Sequence, residues 1–305
     1  EFDELYEKYE RATSVNKIKV SARELITDLL KERAETGRIY IMNIDHCNTH
    51  SSFKDKVNMS NLCQEITLPT DPLTHIDGDG EIALCILSAI NVGTIKLEEL
   101  SNLCDLAVRG LEELIDFQQY PVEAAKRSTK ARRSLGIGYI GLAHFLAKNR
   151  VRYDDPEAHK IVHELSERFQ YELLCASNQV ASEKGSCEYY DRTKYAQGIL
   201  PIDTYKKDVD DIVPNELKCD WDKLRTNIKV HGLRHSTLTA QMPSESSSVV
   251  SNATNGVEPP RDYLSVKKSK KGTLKQVVPQ YSILKNFYTL LWDMESNDGY
   301  IKTLA

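Results

Sequence analysis

The nearly unbroken apolar run from Ile82 to Val92, with a long amphipathic segment directly after it, restricts this chain to a few folds. A strand that is apolar along its whole length is typical of parallel sheets, whose two faces are covered by helices. The next segment, Leu97 to Phe117, predicts such a helix. Its apolar stripe consists of Leu100, Leu103, Ala107, Leu111 and Leu114. Strands that alternate with helices of this length predict an α/β fold with parallel strands.

Other segments extend the alternation. Ser21 and Glu24 form a capping box at the start of a helix, and Gly37 ends that helix. Further predicted elements are a short strand over Arg38 to Met42, a helix from Asp155-Pro156 to Gly185 carried by Ile161, Leu165, Phe169, Leu173 and Val180, and a strand over Ile228 to Met242. Residues 45 to 80 are polar and irregular, and a loop of that length inside a compact domain is usually functional.

Length, charge and hydropathy exclude several classes of protein. The 305 residues suffice for one large α/β domain or two ordinary ones. A net charge of −5 argues against a nucleic-acid partner, which usually requires a basic excess. The chain has no apolar run of about 18 residues, so we expect no membrane-spanning helix. Small anionic substrates remain compatible with the charge, because a single loop can bind phosphate.

The two ends of the chain bear on whether the sequence is complete, and the cysteines bear on the redox state of its compartment. The chain starts at Glu1 within a polar helical pattern and stops at Ala305 without a terminator, so we expect it to be part of a longer protein. Seven cysteines without C-x-x-C spacing are typical of a reducing compartment, in which thiols stay free or act in catalysis. The expected location is the cytoplasm.

One short segment combines groups that suit catalysis. If Asn61 to Glu65 is extended, Asn61, Cys63 and Glu65 lie on the same side and offer an amide, a thiol and a carboxylate to one point. From the pattern alone, an ordinary loop is the commoner explanation. Cys85 lies within the apolar run, where a cysteine usually serves as a small hydrophobic residue.

A serine-rich loop follows the last predicted strand. Hydroxyl groups and backbone amides over Pro243 to Ser248 and Asn252 to Gly256 are arranged as in anion-binding loops. The candidate phosphate ligands are Ser244, Glu245, Ser246 and Ser247. A polar surface loop with helix caps explains the same residues equally well.

Two further motifs have simpler explanations. The segment Gly136 to Gly141 spells G-x-G-x-x-G, but a dinucleotide site needs a hydrophobic strand before it, and Lys126 to Arg133 is basic and helix-like. Close backbone packing therefore accounts better for these glycines. Asp45 to His50 contains potential metal ligands without a matching cluster elsewhere, so we expect structural or hydrogen-bonding roles and no metal site.

Taken together, these segments resemble the large subunits of class I ribonucleotide reductases, and they occur in the same order. The matching segments are Gly37 to Ile41, Asp45 to His50, Ser60 to Cys63, Gly80 to Cys85, Arg133 to Gly138, Pro243 to Ser248 and Ser251 to Pro260. The resemblance covers essentially the whole chain and is closest to the bacterial and bacteriophage aerobic branch. Ser246 stands where many relatives have threonine, which keeps the hydroxyl group.

The resemblance implies a fold. The family forms a ten-stranded α/β barrel from two five-stranded halves, with a finger loop through its centre. Residues 1–305 would then be an incomplete part of the catalytic barrel domain, without the N-terminal effector and first-half region and without the C-terminal tail. The finger loop would span about residues 45–80, and the phosphate loop about residues 243–256.

It also implies an activity, the radical-based reduction of ribonucleoside diphosphates to deoxyribonucleoside diphosphates. Cys63 would carry a thiyl radical that takes the 3′ hydrogen, and Glu65 would accept the 3′-hydroxyl proton. Asn61 would hold the sugar hydroxyls, and Cys85 would be one of the two reducing thiols. The segment Ser244 to Ser247 would bind the diphosphate.

The implied partners follow from the same resemblance. No cofactor would bind this chain directly; a metal-containing small (β) subunit would supply the radical, and thioredoxin or glutaredoxin would supply reducing equivalents. The second redox cysteine and the radical-relay tyrosines of the family lie outside this sequence, so we expect the isolated chain to be inactive. The remaining part of the large subunit and an α dimer complete the expected assembly.

The alternative is a non-catalytic half of a split large subunit, which holds the barrel together and docks partners. A glycyl-radical barrel is a third possibility, but its motif set differs.

Overall fold

The computed structural model of the protein describes residues 2–84, 86–213, 216–269 and 272–288. The chain divides into two compact units, residues 1–43 and residues 44–305. All of the candidate site residues belong to the second unit.

The first unit contains two helices, α1 (Phe2–Arg11) and α2 (Ala22–Thr36). The Ser21 hydroxyl accepts the Glu24 amide at 3.4 Å, and Gly37 ends α2 in the left-handed conformation at φ 63°, which confirms the predicted helix boundaries. The strand predicted over Arg38 to Met42 is wrong, because this segment joins no strand among the described residues. A β-prone sequence forms a strand only where a neighbouring strand is available to pair with it.

The second unit is built around two parallel strands, β1 (Leu87–Asn91) and β2 (Gly136–Ile140). A parallel bridge between Ile137 and Thr239 adds the backbone of a third segment. Close packing accounts for the glycine motif, as expected: a Cβ atom on Gly138 would lie 2.4 Å from the Ala240 carbonyl oxygen. Only a glycine lets these backbones approach so closely.

Two predicted strands have the wrong extent. Among the described residues of the run from Ile82 to Val92, strand pairing begins at Leu87, and the Ile82 amide donates instead to the Ala124 carbonyl. Leu87 is also exposed, so β1 is not buried on both faces as expected. The segment from Ile228 onward continues a helix, α9 (Trp221–His231), and reaches the sheet only at Thr239. The hydrophobicity of a segment predicts that the segment is buried, but it does not predict which group its backbone amides bond to.

Two long helices carry most of the core, α4 (Leu100–Phe117) and α7 (Pro156–Lys184). The predicted α7 is confirmed, with Gly185 at its end. Leu100 and Leu111 of the predicted α4 stripe are buried, but the other buried positions lie one residue later than predicted, and Leu114 is 42% exposed. The buried residues of α4 are Leu100, Cys104, Val108, Leu111, Glu112 and Ile115. A helix buries the face that neighbouring elements cover. That face is not the most apolar one when it includes a polar residue, such as Glu112, whose hydrogen-bond partners lie in the protein interior.

The remaining elements connect or cover this core. They are α3 (Ile44–His50), α5 (Glu123–Arg132), α6 (Leu142–Asn149), α8 (Pro201–Thr204), α10 (Glu245–Ser251), α11 (Tyr281–Leu284) and the antiparallel hairpin of β3 (Leu264–Ser269) and β4 (Gly272–Val277), with 3-10 turns at Leu97–Glu99, Tyr190–Arg192, Lys194–Gln197, Lys207–Asp211 and Lys285–Phe287. Because α3 is helical, the predicted irregular loop starts later than residue 45. Within the described part of the chain, every helix is too short or too polar to cross a membrane.

Candidate functional site

The cysteine-bearing segment forms a tight turn. The Asn61 amide donates to the Ile66 carbonyl at 3.1 Å, and the Gln64 amide donates back to the Asn61 carbonyl at 3.2 Å. Gln64 takes the left-handed conformation at φ 66°, and the Asn61 Oδ1 atom accepts the Ile66 amide at 3.1 Å. The extended conformation assumed for Asn61, Cys63 and Glu65 is therefore wrong. Asn61 supplies the local hydrogen bonds that stabilise a turn in its place.

The turn nevertheless brings Cys63 and Glu65 to the same cavity. Cys63 is exposed, and both side chains line a cavity of about 310 Å³. The opposite wall consists of Gln241, Met242, Pro243, Asn255, Gly256, Val257 and Glu258. The Glu65 Oε2 atom is buried without a hydrogen-bond partner. A buried carboxylate oxygen without a partner is costly unless a ligand or substrate group completes its hydrogen bonding.

The serine loop adjoins this cavity through its two ends. Ser244 is buried, and its hydroxyl donates to Asn255 Oδ1 at 3.3 Å. The Gly141 amide, directly after β2, donates to the Thr254 carbonyl at 3.0 Å. These bonds hold the loop at the carboxyl end of β2. In α/β sheets, ligands bind at that end of the strands.

The other candidate phosphate ligands lie on α10. Ser246 and Ser247 are exposed in the first turn of this helix and do not line the cysteine cavity. Glu245 lines a separate cavity of about 750 Å³ beside the β3–β4 hairpin. Amides in the first turn of a helix have no partner within the helix and attract anions. The structure therefore brings Cys63, Glu65 and the ends of the serine loop together, and it places the hydroxyl groups of Ser246 and Ser247 farther along the same loop.

Glu65 also borders a second cavity. This cavity of about 220 Å³ includes His50, Gln170, Lys194 and Thr239 in its wall. The Lys194 ammonium group donates to the Asn48 and Thr49 carbonyls at 3.0 and 2.9 Å, and burial lowers its pKa. Among the described residues, Glu65 is thus the one that lines both the cysteine cavity and this second cavity.

The segment Asp45 to His50 contributes hydrogen bonds, as expected. Asn48 accepts the Val57 amide at 2.8 Å and donates to the Val57 carbonyl at 2.9 Å, so it ties α3 to the start of the loop that carries Cys63. No group of three or more His, Cys, Asp or Glu side chains in the described residues is placed to hold a metal ion.

The sequence interpretation missed two residues in the cavity wall, Gln241 and Glu258. The Gln241 side-chain amide donates to the Tyr139 carbonyl of β2 at 2.7 Å, in the place of a backbone amide from a neighbouring strand. Glu258 accepts the Asn255 side-chain amide at 3.1 Å. Gln241 lies just before the serine loop, and Glu258 lies within the matching segment Ser251 to Pro260. Cys85 lies outside the described residues, so its predicted role remains a prediction.

Comparisons of the sequence with known proteins identify the family of this chain. Residues 1–300 match the family described as "Ribonucleotide reductase, barrel domain". The chain is 58% identical to the ribonucleoside-diphosphate reductase subunit alpha of Haemophilus influenzae, over 98% of the chain and 40% of that relative. Identity is 56% to the ribonucleoside-diphosphate reductase 1 subunit alpha of Escherichia coli and 43% to the subunit alpha of Enterobacteria phage T4, in each case over 100% of the chain and 41% of the relative. The chain thus spans about 40% of the length of the curated relatives that it matches.

Proposed function

This chain belongs to the ribonucleotide reductase barrel-domain family, and we propose that it forms part of a catalytic α subunit that reduces ribonucleoside diphosphates to 2′-deoxyribonucleoside diphosphates. Family membership confirms the resemblance inferred from the motifs, and with it the barrel as the fold class. One observation carries the proposal: Cys63 and Glu65 share a cavity with both ends of the serine loop, at the carboxyl end of β2.

The radical step would use the turn residues. A thiyl radical at Cys63 takes the 3′ hydrogen atom of the substrate and becomes a thiol, and the substrate becomes a carbon radical. Glu65 accepts the 3′-hydroxyl proton, a role that its buried and unpartnered Oε2 atom supports. Because Asn61 Oδ1 is engaged by the Ile66 amide, the Nδ2 group is the one that would donate to a sugar hydroxyl.

The reductive step would use two thiols. One thiol proton leaves with the 2′-hydroxyl as water, and the hydrogen of the second thiol forms the new C2′–H bond. The two cysteines form a disulfide and so supply the two electrons, and the 3′ hydrogen atom then returns from Cys63. Cys85 would be one of these two cysteines. Thioredoxin or glutaredoxin would reduce the disulfide again, and a small β subunit would supply the radical. The rest of the α subunit, an α dimer and a cytoplasmic location complete this proposal.

The diphosphate would extend from the cysteine cavity toward α10. The buried Ser244 fixes the start of this helix through Asn255, and Ser246 and Ser247 present hydroxyl groups at its first turn. Their backbone amides would complete a cradle of donors for the phosphate oxygens. A non-catalytic assembly role explains this arrangement less well, since a scaffold does not require a buried carboxylate without a partner beside an exposed thiol.

The test compares three cysteine substitutions in the complete α subunit that contains this chain, assayed with its β subunit and cytidine diphosphate. Cys63→Ser should abolish all chemistry at the sugar, because a serine O–H bond is too strong for radical relay. Cys85→Ser should start hydrogen abstraction without completing the reduction, so that free base is released and the radical decays. Cys47→Ser, on α3, is the control and should keep activity. Base release by Cys63→Ser, or normal deoxynucleotide formation by Cys85→Ser, would refute these roles.

A further inference from the structure

The Arg192 guanidinium group contacts both ends of the loop that carries Cys63, which form the base of that loop. Arg192 Nε lies 2.6 Å from Asp55 Oδ2, and Arg192 Nη1 and Nη2 donate to both oxygens of Asp71 at 2.9 and 2.7 Å. Asp55 and Asp71 lie eight residues before and eight residues after Cys63. A forked, bidentate contact of this kind fixes orientation as well as distance. The pKa of Asp71 is lowered, chiefly by its hydrogen bonds to Arg192.

A second arginine fixes this base to the barrel. Arg132, at the end of α5, is buried and donates to both oxygens of Glu81 at 2.8 Å and to Asp55 at 2.9 Å. The Glu81 carboxylate in turn accepts the Asp71 amide at 2.8 Å. Arg132 and Glu81 therefore connect Asp55 to the backbone of Asp71 by a second route, whereas Arg192 contacts both aspartate side chains directly.

The backbone around Arg192 also pairs with the loop. The Lys54 amide donates to the Arg192 carbonyl at 3.0 Å, and Phe53 forms an antiparallel bridge with Thr193. Between Asp55 and Asp71, by contrast, the turn at Cys63 is closed mainly by bonds within itself. Val57, Ile66 and Leu68 are buried on either side of the turn, so the turn is located by their packing together with the charged contacts at the base of the loop.

We propose that Arg192 is a positioning residue for Cys63, which acts by holding Asp55 and Asp71 together at the base of the loop. This inference rests on the proposed function. Arg192 lines neither of the two cavities that border Glu65, so it does not touch the reacting atoms. Catalysis requires reacting groups to be placed within fractions of an ångström, and a displacement of about 1 Å can reduce a rate about 100-fold.

Arg225 provides a matched control. It also makes a two-oxygen contact with one aspartate, Asp203, at 2.8 and 3.2 Å. The exposed fractions are similar, 25% and 37% for Arg225 and Asp203 against 30% and 40% for Arg192 and Asp71. Partly exposed pairs of this kind contribute little to stability. The Arg225 pair lies elsewhere, between α9 and α8, and does not hold the loop.

The experiment measures steady-state kinetics and hydrogen exchange in the complete α subunit, with its β subunit and cytidine diphosphate. Arg192→Ala should lower kcat about 10- to 100-fold with KM within about twofold of the parent, and peptides covering residues 55–71 should exchange faster. Arg225→Ala should keep kcat within about twofold and leave exchange of that loop unchanged. Asp71→Asn keeps the shape of the side chain and should also lower kcat. This variant tests the positioning role of Arg192 if Arg192→Ala does not fold. A kcat within twofold of the parent for Arg192→Ala, or for Asp71→Asn where the alanine variant does not fold, would overturn the proposal.

The Cys63→Ser variant separates this inference from the proposed function. If Cys63→Ser is inactive and Arg192→Ala is fully active, only the positioning role is refuted. If Cys63→Ser retains activity, the proposed function itself fails, whatever Arg192→Ala does.

Discussion

Replacement of Glu112 by glutamine should destabilise the core around α4, because this carboxylate is the centre of a buried charge cluster. Glu112 accepts the Arg133 Nε at 2.7 Å and the Arg234 Nε at 2.7 Å. The His235 Nε2 atom lies 3.1 Å away, and the Glu112 side chain is 1% exposed. Glu112 thus joins α4 to the segment before β2 and to the segment that leads from α9 to the serine loop.

The hydrogen bonding of His235 fits a neutral ring. Because Nε2 faces a carboxylate, it must donate, and Nδ1 must then accept the Ser177 hydroxyl at 2.9 Å. The Ser177 oxygen itself accepts the His235 backbone amide at 3.2 Å. Burial lowers the pKa of His235, which keeps the ring uncharged.

The expected loss of stability follows from the arginine charges that stay buried when the Glu112 charge is removed. Removing one member of a buried ion pair costs about 3–5 kcal/mol. For Glu112→Gln we expect about 3 kcal/mol, the lower end, since Asp116 still pairs with Arg133 at 2.7 Å and Arg234 keeps 16% exposure to water. Glu113→Gln is the control on the same helix: its side chain is 71% exposed, and the loss of its pair with Lys184 should cost less than about 1 kcal/mol.

Hydrogen exchange measures this difference in the complete protein that contains the chain. A loss of about 3 kcal/mol corresponds to roughly 100-fold faster exchange of the protected amides in α4, where exchange follows local opening. Glu113→Gln should change these rates by less than about fivefold. If the two variants exchange within threefold of each other in α4, the carboxylate of Glu112 does not hold the cluster together.

The same cluster predicts a pH dependence. The pKa of Glu112 is held well below its usual value of 4.5: burial opposes the charged form, but the hydrogen bonds from His235, Arg133 and Arg234 outweigh it. Its contribution is therefore complete above pH 4.5 and is lost as the pH falls further. His235 also has a lowered pKa, so the unfolded chain binds its proton more readily, and stability decreases as the pH falls below 6.5. Protection of α4, corrected for intrinsic rates, should be lower at pH 5.5 than at pH 7.5; equal opening free energies would contradict the neutral, buried state of His235.

Two further predictions concern the strand and the serine loop. Gly138→Ala should destabilise the protein by about 1–3 kcal/mol, because the new Cβ atom would lie 2.4 Å from the Ala240 carbonyl oxygen. The control Gly110→Ala, which has open space in α4, should be neutral or stabilising, and equal denaturation midpoints for the two variants would refute the packing argument. Ser246→Ala combined with Ser247→Ala in the complete subunit should weaken diphosphate binding by roughly 1–3 kcal/mol in a direct titration, and unchanged affinity would mean that these hydroxyl groups have only a structural role.

Local signals in the sequence determined the boundaries of two helices. The boundaries of α2 and α7 follow from Ser21, Gly37, Pro156 and Gly185, because capping and helix termination depend on residues within about one turn. The glycines of β2 were also predicted correctly as packing residues. Cys63, Glu65 and the serine loop were singled out by the resemblance of their segments to the ribonucleotide reductase family, because the residue types alone left an ordinary loop as the commoner or an equal explanation.

Only the tertiary structure decided which of these groups meet. The conformation at Cys63 is a turn because Asn61 and Ile66 bond to each other, and periodicity carries no information about such a bond. The strands were mispredicted because an amide such as that of Ile82 takes whichever partner the fold brings near. The contact of Arg192 with Asp55 and Asp71 joins residues more than a hundred positions apart. Contacts of that range depend on how distant segments pack. The sequence determines which side chains a segment carries, whereas the fold decides which other segments those side chains meet.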